Sequence, residues 1–450
     1  MRKGLFMEDS NKWSSRLGFI LASAGAAIGL GAIWKFPYVA GTSGGGAFFL
    51  LFIIFTLFVG LPLLLAEFVI GRSTGKEAVS AYKALAPKGW PWIGKLGVAS
   101  SVLLLAFYSV VGGWILLYTI LSISGDLLGK EYGPLFDTII ANPFVVVGAQ
   151  AVFLLINIIV VSVGVQKGIE RANKYMMPAL FIFFIVLVVR SLTLPDAMEG
   201  VRFFLKPDFS AITGQSVLFA LGQSFFALCV GLSCMVTYSS YLDKSVSLTR
   251  SAGSVALLNI FVSLLAGLAI FPAVFSFGIE PTEGPGLLFV ALPSVFEQMP
   301  FGVVFLTIFL ILFLFATLTS SFSMLEIITS ALGKGEVEKR KKFSWIGGII
   351  VFVVGVFPAL SYGALSHVTL FNKNIFDLFD FLVSNMMLPL GSLAISIFVG
   401  YRMKRETLLE EFQSGSSIGK RVFILWLFLL KYLLPLIIIV VFLGGLPIWK

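Results

Sequence analysis

Residues 25–31 read GAAIGLG and residues 227–233 read ALCVGLS, each inside a long apolar run. Glycine has no Cβ and tolerates backbone conformations that end a helix, so both stretches can unwind and bare peptide C=O and N–H groups in apolar surroundings. Bare carbonyls are ligands for a hard cation, and bare amides at the start of a half-helix hold a carboxylate. The competing use of such glycines is close packing of helices. Two acids, Glu67 and Glu326, also lie within apolar runs; a carboxyl there either relays protons or accepts hydrogen bonds from a broken helix. The two cysteines, Cys229 and Cys234, are five residues apart. On a helix they would point from different faces, so packing suits them better than a disulfide or a metal pair.

Long helices must carry these groups to one place. Of 450 residues, 58% are hydrophobic and 12% charged, with a mean hydropathy of +1.00; a soluble domain carries about twice that charged fraction. Apolar runs long enough to cross a ~30 Å hydrocarbon layer recur along the chain, at 14–39, 44–72, 96–125, 143–163, 170–192, 212–242, 248–277, 302–333, 343–361, 375–400 and 420–444. No linker or soluble domain interrupts them, so residues 1–450 read as a single all-α membrane domain. The first run is too long for a signal-peptide core and lacks a cleavage pattern, which makes it a retained helix. The two glycine stretches fall in the first and sixth spans. They open two units of five, 14–192 and 212–400, with 420–444 as an additional helix. Interrupted helices at matching places mark a binding site between inverted repeats.

The net charge of +9 follows topology. Basic residues gather in alternate connections, such as Arg72, Lys76, Lys83, Lys88 and Lys95, then Lys167, Arg171 and Lys174, then Lys334 and 339–342. Between them stand few: Lys130, Arg190, Arg202, Lys206 and Lys373. This bias places the N-terminus in the cytoplasm and, after an odd number of spans, the C-terminus outside, in a cell's inner (plasma) membrane. Anionic lipid, not nucleic acid, is the expected partner.

Several motifs together resemble the neurotransmitter:sodium symporter family over nearly the full length. Residues 13–38, WSSRLGFILASAGAAIGLGAIWKFPY, resemble its first helix. The segment from Gly44 to Phe48, with Gly60, Pro62, Glu67, Gly71 and Arg72, resembles its second. KGIER at 167–171, GQSFF at 222–226, TYSSY at 237–241 and ATLTSS at 316–321 match further. The resemblance implies a bacterial-type member with the 5+5 inverted-repeat fold, broken helices 1 and 6, an eleventh helix and transport by alternating access.

It also implies a sodium site between helices 1 and 8, made by the carbonyls of Gly25, Ile28 and Ala316 and the hydroxyls of Thr319 and Ser320. The family's first sodium site is depleted: its asparagine is Ala32 here and its helix 6 hydroxyl residue is Ala227, leaving the Ala27 carbonyl and Asn259. A buried cation without those oxygens faces a desolvation cost of several kcal/mol. The neighbouring chloride site also departs, with Phe52 for a tyrosine and Ser263 where chloride-independent relatives carry a glutamate; Gln223 and Asn259 remain. One sodium at most, no chloride and no organic cofactor are therefore expected.

Family substrates are mostly amino acids or amines. Gly29 stands where amine carriers place an aspartate, which favours a solute bringing its own carboxylate to the amides from Gly29 through Leu30 to Gly31 and to the Tyr108 hydroxyl. The carbonyls of Ala27 and Phe226 remain for an amine, but a common serine is Cys229, a poor acceptor. The implied side-chain pocket holds Leu104, Tyr108, Phe226, Leu232, Ser320, Met324 and Ser384, apolar and roomy enough for a large or aromatic group. Lys35 and Asp380 match the outer gate pair, with lysine replacing arginine and losing its bidentate fork. Trp13 and Tyr241 match the inner gate. Its ion pair is not kept, since Ser10 stands at the basic position and Lys334 at the acidic one, with Lys12 and Glu336 as substitutes.

The expected activity is symport of an apolar or aromatic amino acid or related carboxylate. A sodium-independent carrier of aromatic organic acids, or a receptor that binds without transporting, would use the same residues. A hydrolase built on the Gly-x-Ser-Gly of residues 41–44 needs a histidine base. The sole histidine, His367, falls in a loop near helix 10, so an enzyme is not expected.

Overall fold

A computed structural model describes residues 12–278, 286–416 and 418–445. Nine unbroken helices are long and apolar enough to cross a membrane: Gly46–Thr74, Trp92–Ser124, Pro143–Val163, Val165–Leu192, Leu248–Ser276, Gly302–Leu332, Arg340–Ala359, Ile375–Tyr401 and Lys420–Gly445. Two broken helices complete eleven spans among the described residues. The first comprises Arg16–Ala27 and Gly31–Thr42, bent by 52°. The sixth comprises Gly214–Ala227 and Cys234–Ser239. Large apolar side chains such as Phe144, Ile123 and Leu436 stay exposed along the spans, as a hydrocarbon solvent requires.

Each break has a local cause. The first helix starts at Ser15, whose hydroxyl accepts the Gly18 N–H, and loses helical geometry at Ile28 (ψ 85°). In the sixth, Cys229, Gly231 and Ser233 all adopt left-handed backbone, with φ of 52°, 91° and 58°. For Cys229 and Ser233 that conformation costs about 1–2 kcal/mol each. It is held by Glu67, fully buried on the second helix, whose carboxylate accepts the N–H groups of Gly231 at 2.8 Å and Met235 at 3.0 Å. Glu67 thus caps the second half-helix, where the dipole favours a negative charge. Gly231 and Gly391 let the break touch the tenth helix backbone to backbone: a Cβ on either would fall on a carbonyl of the other segment.

Alanine at Glu67 leaves two buried N–H groups without an acceptor beside a strained turn. The expected loss is about 2–4 kcal/mol, read as a lowered unfolding temperature in detergent. Glutamine, which keeps one acceptor, should lose less.

The spans begin and end within a few residues of the sequence expectation, with one consequential shift. The ninth helix starts at Arg340 rather than 343, which takes Arg340 out of the basic connection and into the protein. A two-residue hairpin, Thr369–Leu370 against Lys373–Asn374, is the one β-ladder among the described residues. Below the second helix, the short helix Arg405–Gln413 is fastened by Arg72, whose Nε donates to Glu411 at 2.6 Å and whose other nitrogens reach the carbonyls of Glu411 and Val246.

Candidate substrate and ion site

The two breaks face each other across a small cavity. Its walls are Ala27, Gly29, Leu30, Gly31, Leu104, Tyr108, Phe226, Cys229, Leu232, Ser320, Met324 and Leu388. The fold therefore brings together every proposed substrate residue except Ser384. That serine stands at the Lys35 end, donating to Asp380 at 2.6 Å and accepting from Lys35 at 3.3 Å. Leu388, one helical turn further on, takes the wall position. Sequence spacing alone does not distinguish two residues on one face a turn apart.

The polar groups converge on one corner. The Leu30 N–H donates to the Tyr108 hydroxyl at 3.2 Å, and the Ser320 hydroxyl donates to the Ala26 carbonyl at 2.6 Å. The Cys229 thiol donates to the same carbonyl at 3.0 Å. Gly29 lies under this corner, where a Cβ would collide with the Ser320 side chain and the Tyr108 hydroxyl. Glycine is therefore required by space, and an aspartate at this position has no room.

Beneath the cavity, the first and eighth helices approach at Gly25 and Thr319. A Cβ on Gly25 would stand 3.0 Å from Thr319 Cβ and on top of Asn173 Oδ1. Thr319 donates to the Ala316 carbonyl at 3.0 Å, so with Ser320 it turns lone pairs outward. Ala316, Thr319 and Ser320 are all buried. Asn173 Nδ2 is engaged by the Ile169 carbonyl at 2.9 Å, while its buried Oδ1 has no hydrogen-bond partner among the described residues. Hydroxyls, break carbonyls and an orphan amide oxygen suit a hard monovalent cation. Asn173 was invisible to sequence reading because only the packing of the fifth helix brings it here.

Both ends are closed. At one, Lys35 Nζ lies 3.3 Å from Asp380 and 4.9 Å from the centre of the Phe226 ring. At the other, Trp13 Nε1 donates to the Tyr238 carbonyl at 2.8 Å, and Tyr241 donates to Glu326 at 2.8 Å.

Comparison with known proteins decides the family. The chain matches the sodium:neurotransmitter symporter family over residues 10–138 and 141–448. It belongs to that family. It is 56% identical to an uncharacterized sodium-dependent transporter, YhdH, of Bacillus subtilis, covering 96% of this chain and 97% of that one. A sodium-dependent transporter of Haemophilus influenzae is 40% identical over 96% of this chain and 98% of its own. The crystal structure of MhsT in complex with L-phenylalanine superposes with a TM-score of 0.90 at 40% identity, covering 97% of this chain and 100% of that one. The fold is thus the symporter fold, two inverted units of five helices with broken first and sixth members and an eleventh helix. The protein is a multi-pass membrane transporter and not an enzyme. In keeping with this, Ser43 merely closes the second half of the first helix and His367 is exposed in a connection.

Within this symporter, the Trp13 end departs from the ion pair expected there. Ser10 lies outside the described residues, Lys12 is exposed, and Glu336 pairs with Lys339 at 2.8 Å. The ion pair at this end is instead Glu326 with Arg340, both buried, with Arg340 Nε also donating to the Val161 carbonyl at 2.9 Å. Glu326 is thereby held in a buried ion pair, and Glu67 accepts the amides of the sixth-helix break. Glu170, within the KGIER motif, accepts the Ser14 N–H at 2.8 Å and pairs with Lys174 at 2.9 Å, pinning the start of the first helix.

Proposed function

We propose that this symporter moves an apolar or aromatic amino acid, or a related organic carboxylate, together with at most one sodium held between the first and eighth helices. One observation carries the reading: a single cavity joins the amides of Leu30 and Gly31 and the Tyr108 hydroxyl to a wall of Leu104, Phe226, Leu232, Met324 and Leu388. A carboxylate fits the first group and an apolar side chain the second. MhsT, 40% identical, was solved with L-phenylalanine, which supports the substrate class. Sodium dependence in the names of the relatives supports the ion.

The carboxylate would take the Leu30 and Gly31 amides at the start of the second half-helix, where the dipole is positive. The cation would sit on the carbonyls of Gly25, Ile28 and Ala316 and the hydroxyls of Thr319 and Ser320, fixing the bend of the first helix. Lys35 with Asp380, and Trp13 with Tyr241, then close the two ends in turn. Residues 14–192 and 212–400 act as the two repeats, with the N-terminus cytoplasmic and the C-terminus outside. Because the Ala26 carbonyl already accepts from the Cys229 thiol and the Ser320 hydroxyl, and a thiol sulfur is a poor acceptor, the amine side is poor in acceptors. An aryl acid lacking the amine is the second reading.

Screening L-amino acids and aryl acids by thermal shift, in NaCl and in choline chloride, tests this. L-phenylalanine or a similar apolar acid should stabilise the protein, with a sodium dependence of Hill slope near one. A slope near two overturns the single-ion reading. Ala32→Asn combined with Ala227→Thr restores two oxygens and should steepen the sodium dependence; an unchanged slope counts against the mapping of the depleted site.

A further inference from the structure

The break carbonyls that a first sodium would gather are not left open. Asn259 Nδ2, on the fully buried face of the seventh helix, donates to the Ala227 carbonyl at 2.7 Å and to the Ala27 carbonyl at 3.4 Å. Those two carbonyls lie 200 residues apart in sequence, at the ends of the first halves of the two broken helices. Carbonyls only accept, so the amide presents its NH₂ to them, while its buried Oδ1 has no hydrogen-bond partner among the described residues. Gln223 repeats the device one step along, with Nε2 donating to the Gly31 carbonyl at 2.7 Å. Ala32 and Ala227 contribute no side-chain oxygen.

We infer that Asn259 is a neutral substitute for the first cation, its NH₂ tying the two breaks together where an ion would otherwise bridge them. This rests on the single-sodium reading and supplies its mechanism. A cation joins two carbonyls by attraction to both lone pairs; an NH₂ with two protons does the same for two carbonyls without bringing net charge into the bilayer. Charge balance is coherent throughout. Asn259, Gln223 and the three carbonyls are neutral, so removing the cation leaves no anion to compensate, and Phe52 and Ser263 supply none. The breaks are therefore assembled before any ion arrives, and Asn259 is a positioning residue for the substrate amides of Leu30 and Gly31.

The test uses the full chain in detergent, unfolded thermally while NaCl replaces choline chloride at constant ionic strength. Wild type should show a single-site sodium response. Asn259→Asp exchanges the NH₂ and its two donors for an acceptor oxygen and a negative charge, so the carboxylate and the two carbonyls now demand a cation. Its midpoint in choline should fall by about 2–4 °C, and sodium should restore it with a Hill slope approaching two. Asn259→Ala, uncharged and smaller, decides the matter where the aspartate variant does not fold: it should lose stability in choline and gain more from sodium than wild type does. An alanine variant with the midpoint and sodium response of wild type overturns the substitution idea while leaving the single-sodium reading intact. A wild-type slope near two overturns both, which separates the two failures.

Discussion

Gly29→Ala is expected to lower affinity for the tightest ligand of the amino-acid and aryl-acid screen by about 100-fold, a difference near 3 kcal/mol. The reason is geometric. A Cβ on Gly29 would lie 2.8 Å from Ser320 Cβ and closer still to the Ser320 and Tyr108 hydroxyl oxygens. Both are buried against packed helices, and Tyr108 cannot retreat without releasing the Leu30 N–H it accepts. The methyl group therefore displaces the hydroxyl that meets the carboxylate and tilts the amides beside it. Aspartate, larger and charged, should abolish binding. Isothermal titration of wild type and variant checks this, with unfolding midpoints measured alongside. Unchanged affinity in a stable variant would place the solute somewhere other than the break.

The second large effect concerns stability at the Trp13 end. Arg340→Ala is expected to destabilise the protein by about 3–5 kcal/mol, since it leaves Glu326 as an uncompensated buried charge. The glutamate is fully buried and Arg340 nearly so; beyond Arg340, the Tyr241 hydroxyl at 2.8 Å is its other partner. Removing both charges as Glu326→Leu with Arg340→Met should recover most of the loss, because apolar replacement of a buried pair is often close to neutral. If the double variant unfolds as early as Arg340→Ala, the pair matters for its hydrogen bonds to Tyr241 and Val161 and not for charge compensation. Loosening this end should also raise the accessibility of Trp13, measurable by fluorescence quenching.

The glycine stretches at 25–31 and 227–233 foretold the breaks, which run over 28–30 and 228–233, because unwinding is decided locally by residues that cannot hold a helix. The pocket wall came from the resemblance, since Leu104, Phe226 and Met324 look like ordinary packing when taken alone. Ser384 moved to the gate because one turn of the tenth helix separates wall from rim. Arg340 reads as a loop cation in sequence because hydropathy weighs a charge without its partner: Glu326 lies 14 residues earlier, on another helix.

From the residues alone, this protein's membrane character, its eleven spans and the places where two of them unwind were determined, as these follow from composition and short-range backbone preference. Which side chain satisfies each exposed peptide group was decided only in the folded chain. Asn259 on the Ala27 and Ala227 carbonyls, Glu67 on the Gly231 amide and Asn173 against Gly25 join segments far apart in sequence. In a solvent that offers no hydrogen bonds, such partners must come from another helix, and helix packing chooses them.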